Sequence, residues 1–103
     1  MVEAIEGFGD VICSRTASGI ETNVPRRITR HSPDGFEWGY PGSGPADFAF
    51  NILSCFVGEK TAKCGGIYQK FKLDFVAKLP VEGGVIKQEA ILEWIAQNIP
   101  EAA

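Results

Sequence analysis

The sequence predicts one α+β domain over residues 1–103, in which a small N-terminal antiparallel sheet packs on a buried central helix and two further C-terminal helices follow. Three observations predict this fold. Short β-prone segments fill the N-terminal part, an almost wholly apolar stretch spans residues 46–57, and two amphipathic stretches complete the chain. Strands followed by helices favour a segregated α+β fold over alternating βαβ units. A chain of 103 residues suits one domain with its own core.

Composition and charge are those of an ordinary globular protein and exclude some classes of function. Hydrophobic residues make up 45% and charged residues 22% of the chain, and the formal net charge is −3. A net negative charge does not recruit nucleic acid or an anionic membrane. No segment approaches the roughly 20 apolar residues that span a bilayer. We therefore expect no general nucleic-acid binding and no membrane association.

The three cysteines, Cys13, Cys55 and Cys64, bear on the cellular compartment. An odd number of cysteines, without a secretory signal at the acidic N-terminus, is typical of a reduced intracellular protein. We therefore expect a cytoplasmic domain. Cys55 lies within the apolar stretch, where a cysteine acts as a small hydrophobic residue.

The first elements are predicted to form a β-hairpin. Val11, Ile12 and Cys13 make a short β-prone run, and residues 17–19 (Ala-Ser-Gly) carry a turn signal.

The connector after the hairpin carries a basic cluster. Pro25 removes a backbone donor and favours an extended connector over residues 23–30. Such a cluster is either a solvated loop or a patch that faces an anion, and both interpretations stay open. Its members are Arg26, Arg27, Arg30 and His31.

A turn at residues 32–35 (Ser-Pro-Asp-Gly) leads into a predicted aromatic strand. Phe36, Trp38 and Tyr40 alternate with glycine, glutamate and glycine, so a period of two places the three rings on one face and Glu37 on the other. A face made of glycines around one glutamate lets another backbone or a ligand approach closely. Glu37 is then either a buried acceptor for backbone N–H groups or a carboxylate presented to a partner.

The glycine-rich loop at residues 41–44 (Pro-Gly-Ser-Gly) precedes the central helix. Ser43 or Gly44 is expected at the cap and Pro45 at the first helical position, with Asp47 in the first turn. A glycine-rich loop that leads into a helix N-terminus is also the layout of an anion site. A structural cap and a phosphate site are therefore alternatives for this loop.

The central helix is predicted over residues 46–57 and is apolar on nearly all sides, which indicates that several faces are buried. Gly58 fits the position that ends a helix.

The C-terminal part is predicted to contain two amphipathic helices. A helix that begins at residues 59–63 is interrupted by the glycine pair at 65–66, resumes, and ends at residues 79–80 (Leu-Pro). Residues 85–86 are expected to be extended, and the last helix spans residues 87–98. The apolar positions at helical spacing are Ile67, Tyr68, Phe71 and Phe75 in the first helix and Ile91, Leu92, Trp94 and Ile95 in the last.

Residues for metal or cofactor chemistry are sparse. The cysteines are far apart in sequence and His31 is the one histidine, so we predict no metal site and no cofactor. A nucleophilic pair of His31 with Cys13 or Cys64 has no local sequence signature to support it.

Residues 32–53, SPDGFEWGYPGSGPADFAFNIL, strongly resemble a family of small uncharacterised domains from bacteria, archaea and phages. The hallmark of that family is a Ser-Pro-x-Gly-Phe-Glu-Trp-Gly-Tyr-Gly-Gly-Ser-Gly-Pro segment that leads into an apolar helix. The likeness continues at residues 68–72, 77–80 and 91–95, and departs from the family where Pro41 replaces a glycine. The resemblance implies a phage or mobile-element origin and a role in host takeover or counter-defence.

These observations predict a small non-enzymatic binding module that acts on a host protein as an inhibitor or adaptor. One alternative is a protein that sequesters a small anionic ligand, such as a nucleotide, at the glycine-rich loop. Another is a small enzyme in which Glu37 works with Asp34 or Asp47 as an acid–base pair. Loops on a rigid scaffold are where binding residues concentrate. The predicted binding residues are Arg27, Arg30, His31, Glu37, Tyr40 and Ser43.

Overall fold

The computed structural model describes residues 9–26 and 35–102, and within them a three-stranded antiparallel sheet precedes and accompanies a set of helices. This arrangement confirms the predicted α+β fold. The strands are β1 (Val11–Thr16), β2 (Gly19–Thr22) and β3 (Gly83–Ile86). The α-helices are α1 (Ser43–Val57), α2 (Glu59–Lys63), α3 (Ile67–Asp74) and α4 (Gln88–Asn98). Short 3₁₀ turns span Cys64–Gly66, Val76–Lys78 and Pro100–Ala102.

The sheet has the strand order β2-β1-β3. The predicted hairpin is confirmed, because β1 and β2 pair around a two-residue turn with Thr16 opposite Gly19. On the other side of β1, β3 pairs antiparallel with Val11 opposite Ile86. The extended segment predicted at residues 85–86 therefore becomes the third strand. Its partner is far away in the sequence, so local patterns do not reveal the pairing.

The predicted aromatic strand at residues 35–40 is wrong. The segment is irregular, and Gly35 (φ 114°) and Gly39 (φ 88°) adopt positive φ values that break an extended strand. The alternation of aromatic residues along the segment nevertheless indicates which side chains are buried. Phe36 and Trp38 are buried, and their ring centroids lie 4.9 and 5.8 Å from that of Phe48. Tyr40, which was predicted on the same face, is 48% exposed.

Helix α1 is the core of the molecule, as predicted. It begins at Ser43 with Gly42 as its cap, three residues before the expected start, so Pro45 is the third helical residue and not the first. Proline is tolerated there because N–H groups in the first turn have no partner within the helix. Asp47 lies beyond the first turn and is buried, which corrects its predicted position. The helix ends at Gly58 (φ 88°), as expected.

The apolar positions of the C-terminal helices join the buried core to which α1 contributes most. The glycine pair at residues 65–66 adopts left-handed φ values of 63° and 71° and separates α2 from α3, as predicted. Helix α3 ends at Asp74, earlier than expected, and its carboxylate accepts a 2.7 Å hydrogen bond from the indole N–H of Trp94 in α4. Phe71 and Trp94 meet edge to face, with ring centroids 5.1 Å apart. These contacts join α3 to α4.

Helix α4 is capped from the far end of the chain. The carboxylate of Asp10 accepts a 2.8 Å hydrogen bond from the backbone N–H of Gln88, which lowers the pKa of Asp10. An acceptor at this position satisfies one of the N–H groups that a helix start leaves open. The cap therefore ties β1, which begins just after Asp10, to the start of α4.

We predict that Phe48→Ala lowers the free energy of unfolding by about 3–5 kcal/mol, because Phe48 on α1 is fully buried against the rings of Phe36 and Trp38. Chemical denaturation with Leu73→Ala as the control measures this loss. Leu73 is 51% exposed, so its truncation is expected to change stability by about 0.5 kcal/mol or less. Equal losses in the two variants would contradict the packing described above.

Candidate binding surface

Arg15, near the end of β1, makes the most extensive set of polar contacts in the sheet. Its two terminal nitrogens donate to the two carboxylate oxygens of Glu37 at 2.7 and 3.2 Å. Its Nε donates to the carbonyl of Val81 at 2.6 Å. The guanidinium carbon lies 4.5 Å from the centre of the Trp38 ring. We call these four residues, Arg15, Glu37, Trp38 and Val81, the Arg15 cluster.

Alternation along β1 turns the side chain of Arg15 toward the inner face of the sheet. Side chains two apart share a face of a strand, so Arg15 lies on the same face as the buried Val11 and Cys13. At this end of the sheet the core gives way to solvent, and the side chains of Arg15 and Glu37 are 32% and 34% exposed. The planar guanidinium suits both a bidentate carboxylate and an aromatic face. A long cationic side chain on the inner face is therefore satisfied without deep burial of its charge.

The carbonyl of Val81 is shared. It accepts a second hydrogen bond, of 3.0 Å, from the indole N–H of Trp38. The backbone N–H of Gly39 donates to the carbonyl of Val76 at 3.0 Å. Two hydrogen bonds thus fix the irregular aromatic segment, one to the turn that carries Val81 and one to the 3₁₀ turn that begins at Val76. Arg15 ties both the aromatic segment and the Val81 turn to the sheet, because it donates to Glu37 and to Val81.

The ion pair sets the charge state of Glu37. Hydrogen bonds from Arg15 lower the pKa of the Glu37 carboxyl, and the same bonds raise the pKa of the Arg15 guanidinium. Glu37 is therefore an anion near neutral pH. A carboxylate held as an anion by two donors is a weak proton acceptor and carries no proton to donate, which does not suit general acid–base catalysis.

Glu37 also lies against the start of α1. A Cβ atom at Gly44 would stand 2.7 Å from the Cβ of Glu37, so only glycine allows this approach. The stem of the Glu37 side chain is thereby packed against the first turn of α1, while its carboxylate points to Arg15.

Two side chains with exposed apolar area lie at the Arg15 cluster, Val81 as one of its members and Tyr40 beside it. Val81 is 65% exposed and Tyr40 is 48% exposed. The Tyr40 ring packs over Gly42, and a Cβ at Gly39 would lie 3.6 Å from Cγ2 of Val81. Tyrosine and arginine are enriched at the energetic centres of protein interfaces. The exposed apolar area of Val81 and Tyr40 therefore lies beside the fixed ion pair of Arg15 and Glu37.

A groove opens on the other side of Glu37. It has a volume of about 710 Å³ and is walled by β2 with Val24 and Arg26 on one side and by residues 35–37 on the other, with Arg15 among its lining residues. We call it the edge groove. Its size falls within the range of ligand and peptide clefts.

The structure brings together three of the six predicted binding residues. Glu37 belongs to the Arg15 cluster, and Tyr40 and Ser43 follow it in the same stretch, with Ser43 exposed at the start of α1. The other three predicted residues, Arg27, Arg30 and His31, lie outside the described residues. Sequence reasoning missed Arg15 and Val81. Two features of the sequence could have led to Arg15. It is in phase with the buried positions of β1, and Glu37, which is flanked by glycines on its predicted strand face, needs a hydrogen-bond donor.

Cysteines and acidic residues are the remaining candidates for reactive groups within the part of the chain that the structure describes. There Cys13, Cys55 and Cys64 form no disulfide, and burial raises the pKa of Cys13. Among residues 9–26 and 35–102, no three histidine, cysteine, aspartate or glutamate side chains are grouped as ligands for a metal ion. None of the helices in this described part has the length and apolar character needed to cross a membrane.

Comparison with known proteins identifies the family. A family model described as a family of unknown function (DUF6166) matches residues 7–97. The chain belongs to this family. The DUF6166 match includes every residue of the Arg15 cluster and both walls of the edge groove. No curated protein and no solved structure matches the chain.

We predict that Arg15 and Glu37 stabilise the fold jointly. In a double-mutant cycle of Arg15→Met and Glu37→Gln, urea unfolding is expected to give a coupling free energy of about 1 kcal/mol. This is the upper end for exposed ion pairs, because the geometry is bidentate but solvent screens it. A coupling of zero would show that the pair contributes nothing to stability.

The same pair predicts an acid-dependent loss of stability. The folded state lowers the pKa of Glu37. The contribution of Glu37 to the free energy of unfolding is therefore complete above its unfolded-state pKa, about 4.3, and is lost as the pH falls through its folded-state pKa. The free energy of unfolding of the wild type is therefore expected to fall more steeply than that of Glu37→Gln between about pH 6 and pH 3. Parallel pH profiles would contradict this assignment.

We predict that Gly44→Ala destabilises the protein, although alanine is normally the better helix former by about 1 kcal/mol. The added methyl meets the Cβ of Glu37 at 2.7 Å, and such overpacking costs about 1–3 kcal/mol. Ser43→Ala, at the exposed neighbouring position, serves as the control and is expected to stay within about 0.5 kcal/mol. A rise in melting temperature for Gly44→Ala would contradict the close approach.

Proposed function

We propose that this domain is a small non-enzymatic protein-binding module that acts in the cytoplasm on a host protein, as an inhibitor or adaptor. The observation that carries the proposal is the exposure of Tyr40 and Val81 beside the fixed Arg15–Glu37 pair. An aromatic side chain and an arginine next to exposed apolar area are the usual anchors of protein interfaces.

Rigidity supports this proposal. Arg15 is held by two carboxylate hydrogen bonds, one carbonyl and one aromatic ring, so little side-chain freedom remains to be lost when a partner binds. Val81 is fixed through its own carbonyl, which accepts from Arg15 and Trp38. A partner therefore meets a preorganised surface.

The proposed origin and role rest on the resemblance of residues 32–53 to domains found in bacteria, archaea and phages. We propose that the module derives from a phage or mobile element and serves in host takeover or counter-defence. Its small size and the mixed apolar and charged surface at Tyr40, Val81 and Arg15 suit an inhibitor that binds through one face.

The alternative of a small anionic ligand, such as a nucleotide, draws support from the edge groove, which is lined by both Arg15 and Arg26. Glu37 weakens this alternative, because its carboxylate faces the same groove and engages Arg15. A thermal-shift panel of nucleotides discriminates between the two functions. A bound ligand at 100 times its Kd adds roughly 2.7 kcal/mol to the free energy of unfolding.

We predict that Tyr40→Ala weakens partner binding without unfolding the domain. The tagged protein captures partners from bacterial host lysate, mass spectrometry identifies them, and binding of the purified partner is then compared between wild type and variant. Loss of a central aromatic anchor typically reduces affinity by 2 kcal/mol or more, about thirtyfold.

Val85→Ala is the matched control, because Val85 is 51% exposed but lies on the solvent face of the sheet opposite Ile12. Its melting temperature and affinity are both expected to stay near those of the wild type. Charge reversal at Arg27 and Arg30 is expected to weaken binding of the same partner. If Tyr40→Ala binds as tightly as Val85→Ala, this surface is not the interface.

A further inference from the structure

The outer edge of β2 carries unused backbone groups. Asn23 donates its backbone N–H to the carbonyl of Ile12, and Thr16 faces Gly19 across the two-residue turn. Hydrogen-bonded and non-bonded pairs alternate along an antiparallel ladder, so Glu21 bonds to β1 while its neighbours Ile20 and Thr22 do not. Their N–H and C=O groups point away from β1. Among residues 9–26 and 35–102 these outward groups have no hydrogen-bond partner.

The opposite edge of the sheet is partly covered. On β3, the backbone N–H of Gly83 donates to the carbonyl of Pro80 at 3.0 Å. A Cβ at Gly84 would lie 3.3 Å from the side chain of Leu79. The turn before β3 thus covers the start of that edge, whereas β2 opens onto the edge groove. An open strand edge is a template for pairing with another chain.

From these observations we infer that β2 takes an extended segment of the partner protein as a fourth, antiparallel strand, with a basic side chain opposite Glu21. Ile20 and Thr22 would exchange backbone hydrogen bonds with two residues of that segment, as in other cases of strand addition. This inference rests on the proposed function and specifies how the partner is contacted.

Charge complementarity selects the occupant. Glu21 lies on the solvent face of the sheet opposite Ser14, and within the described residues it makes no ion pair. The residue that pairs directly with Glu21 on an added strand would project from the same face, with Cβ atoms about 4.5–5.5 Å apart. A lysine or arginine there is favourable.

A second copy of this chain is a poor occupant at the register centred on Glu21. Pairing of β2 with its own copy around a two-fold axis at Glu21 would place two glutamates directly opposite each other, which is destabilising.

The inner face of the groove favours small apolar neighbours. Side chains on either side of the basic residue would project into the edge groove beside the exposed Ile20, with the buried Val24 and Phe36 in the same lining. The segment so described alternates apolar and polar residues around a central lysine or arginine.

Two blocked heptapeptides test the inference, Thr-Thr-Val-Lys-Val-Thr-Thr and the same peptide with a central glutamate. Each is titrated to millimolar concentration into the isotope-labelled full chain, and NMR follows the backbone amides of Ile20 and Thr22. The lysine peptide is expected to shift these amides and to bind about two- to fivefold more tightly than the glutamate peptide. Glu21→Lys should reverse the order, whereas Glu93→Lys, an equal change in charge on the exposed face of α4, should leave it unchanged.

Peptide methylation tests the backbone bonds. In the added strand, the N–H groups of the two valines face β2 and that of the lysine faces away. N-methylation of both valines is therefore expected to abolish binding, and N-methylation of the lysine to preserve it. Equal effects of the two modifications would overturn strand addition.

Other outcomes separate this inference from the proposed function. Absence of a saturable shift with both peptides, or a preference that Glu21→Lys does not change, overturns the inference. Shifts centred on Tyr40 and Val81 overturn it as well, but leave a protein-binding surface in place. Conversely, if Tyr40→Ala leaves the captured partner bound as tightly as before, the proposed surface is wrong even if the peptides add to β2.

Discussion

The bidentate pair between Arg15 and Glu37 is the interaction that gives this surface its shape. It joins three segments that are distant in sequence: the end of β1, the irregular segment at residues 35–42 and the turn that carries Val81. The irregular segment has no strand ladder of its own. Its position depends on two buried rings, Phe36 and Trp38, and on the polar contacts around Arg15. The buried rings supply the larger share of the free energy that stabilises this segment, because an exposed ion pair contributes only about 1 kcal/mol or less. The ion pair instead fixes the orientation of the segment on the sheet.

Helical periodicity predicted the fold well because helices report their burial locally. The spacing of apolar residues located α1 and α4 to within a few residues of the observed ends. The aromatic segment misled because alternation reports which side chains are buried and not which backbone groups are paired. Phe36 and Trp38 are indeed buried, yet positive φ at Gly35 and Gly39 replaces the strand by a bent loop. Pairing of β3 with β1 depends on residues about 70 positions apart, which no local pattern encodes.

The candidate site was predictable where its residues were unusual for their surroundings. Glu37 between glycines, and Tyr40 and Ser43 beside a proline- and glycine-rich loop, stood out and lie together. Arg15 was not predictable in the same way, since an arginine at the end of a short strand is normally solvated. Its role follows from the register of a hairpin, from the distant carbonyl of Val81 and from the Trp38 ring. Sequence reasoning therefore found the acceptor of the pair and missed the donor.

Two geometric rules determine the two parts of the surface. Alternation along β1 places the side chain of Arg15 inward, in phase with Val11 and Cys13. The two-residue turn between Thr16 and Gly19 aligns β2 with β1 and thereby directs the backbone groups of Ile20 and Thr22 outward, because in an antiparallel ladder the bonded pairs alternate. A slip of β2 by one residue would leave Arg15 inward, but it would turn Glu21 to the inner face and exchange the outward groups of β2 for its bonded ones. The phase of β1 thus sets the ion-pair surface, and the hairpin turn sets which groups the open edge offers.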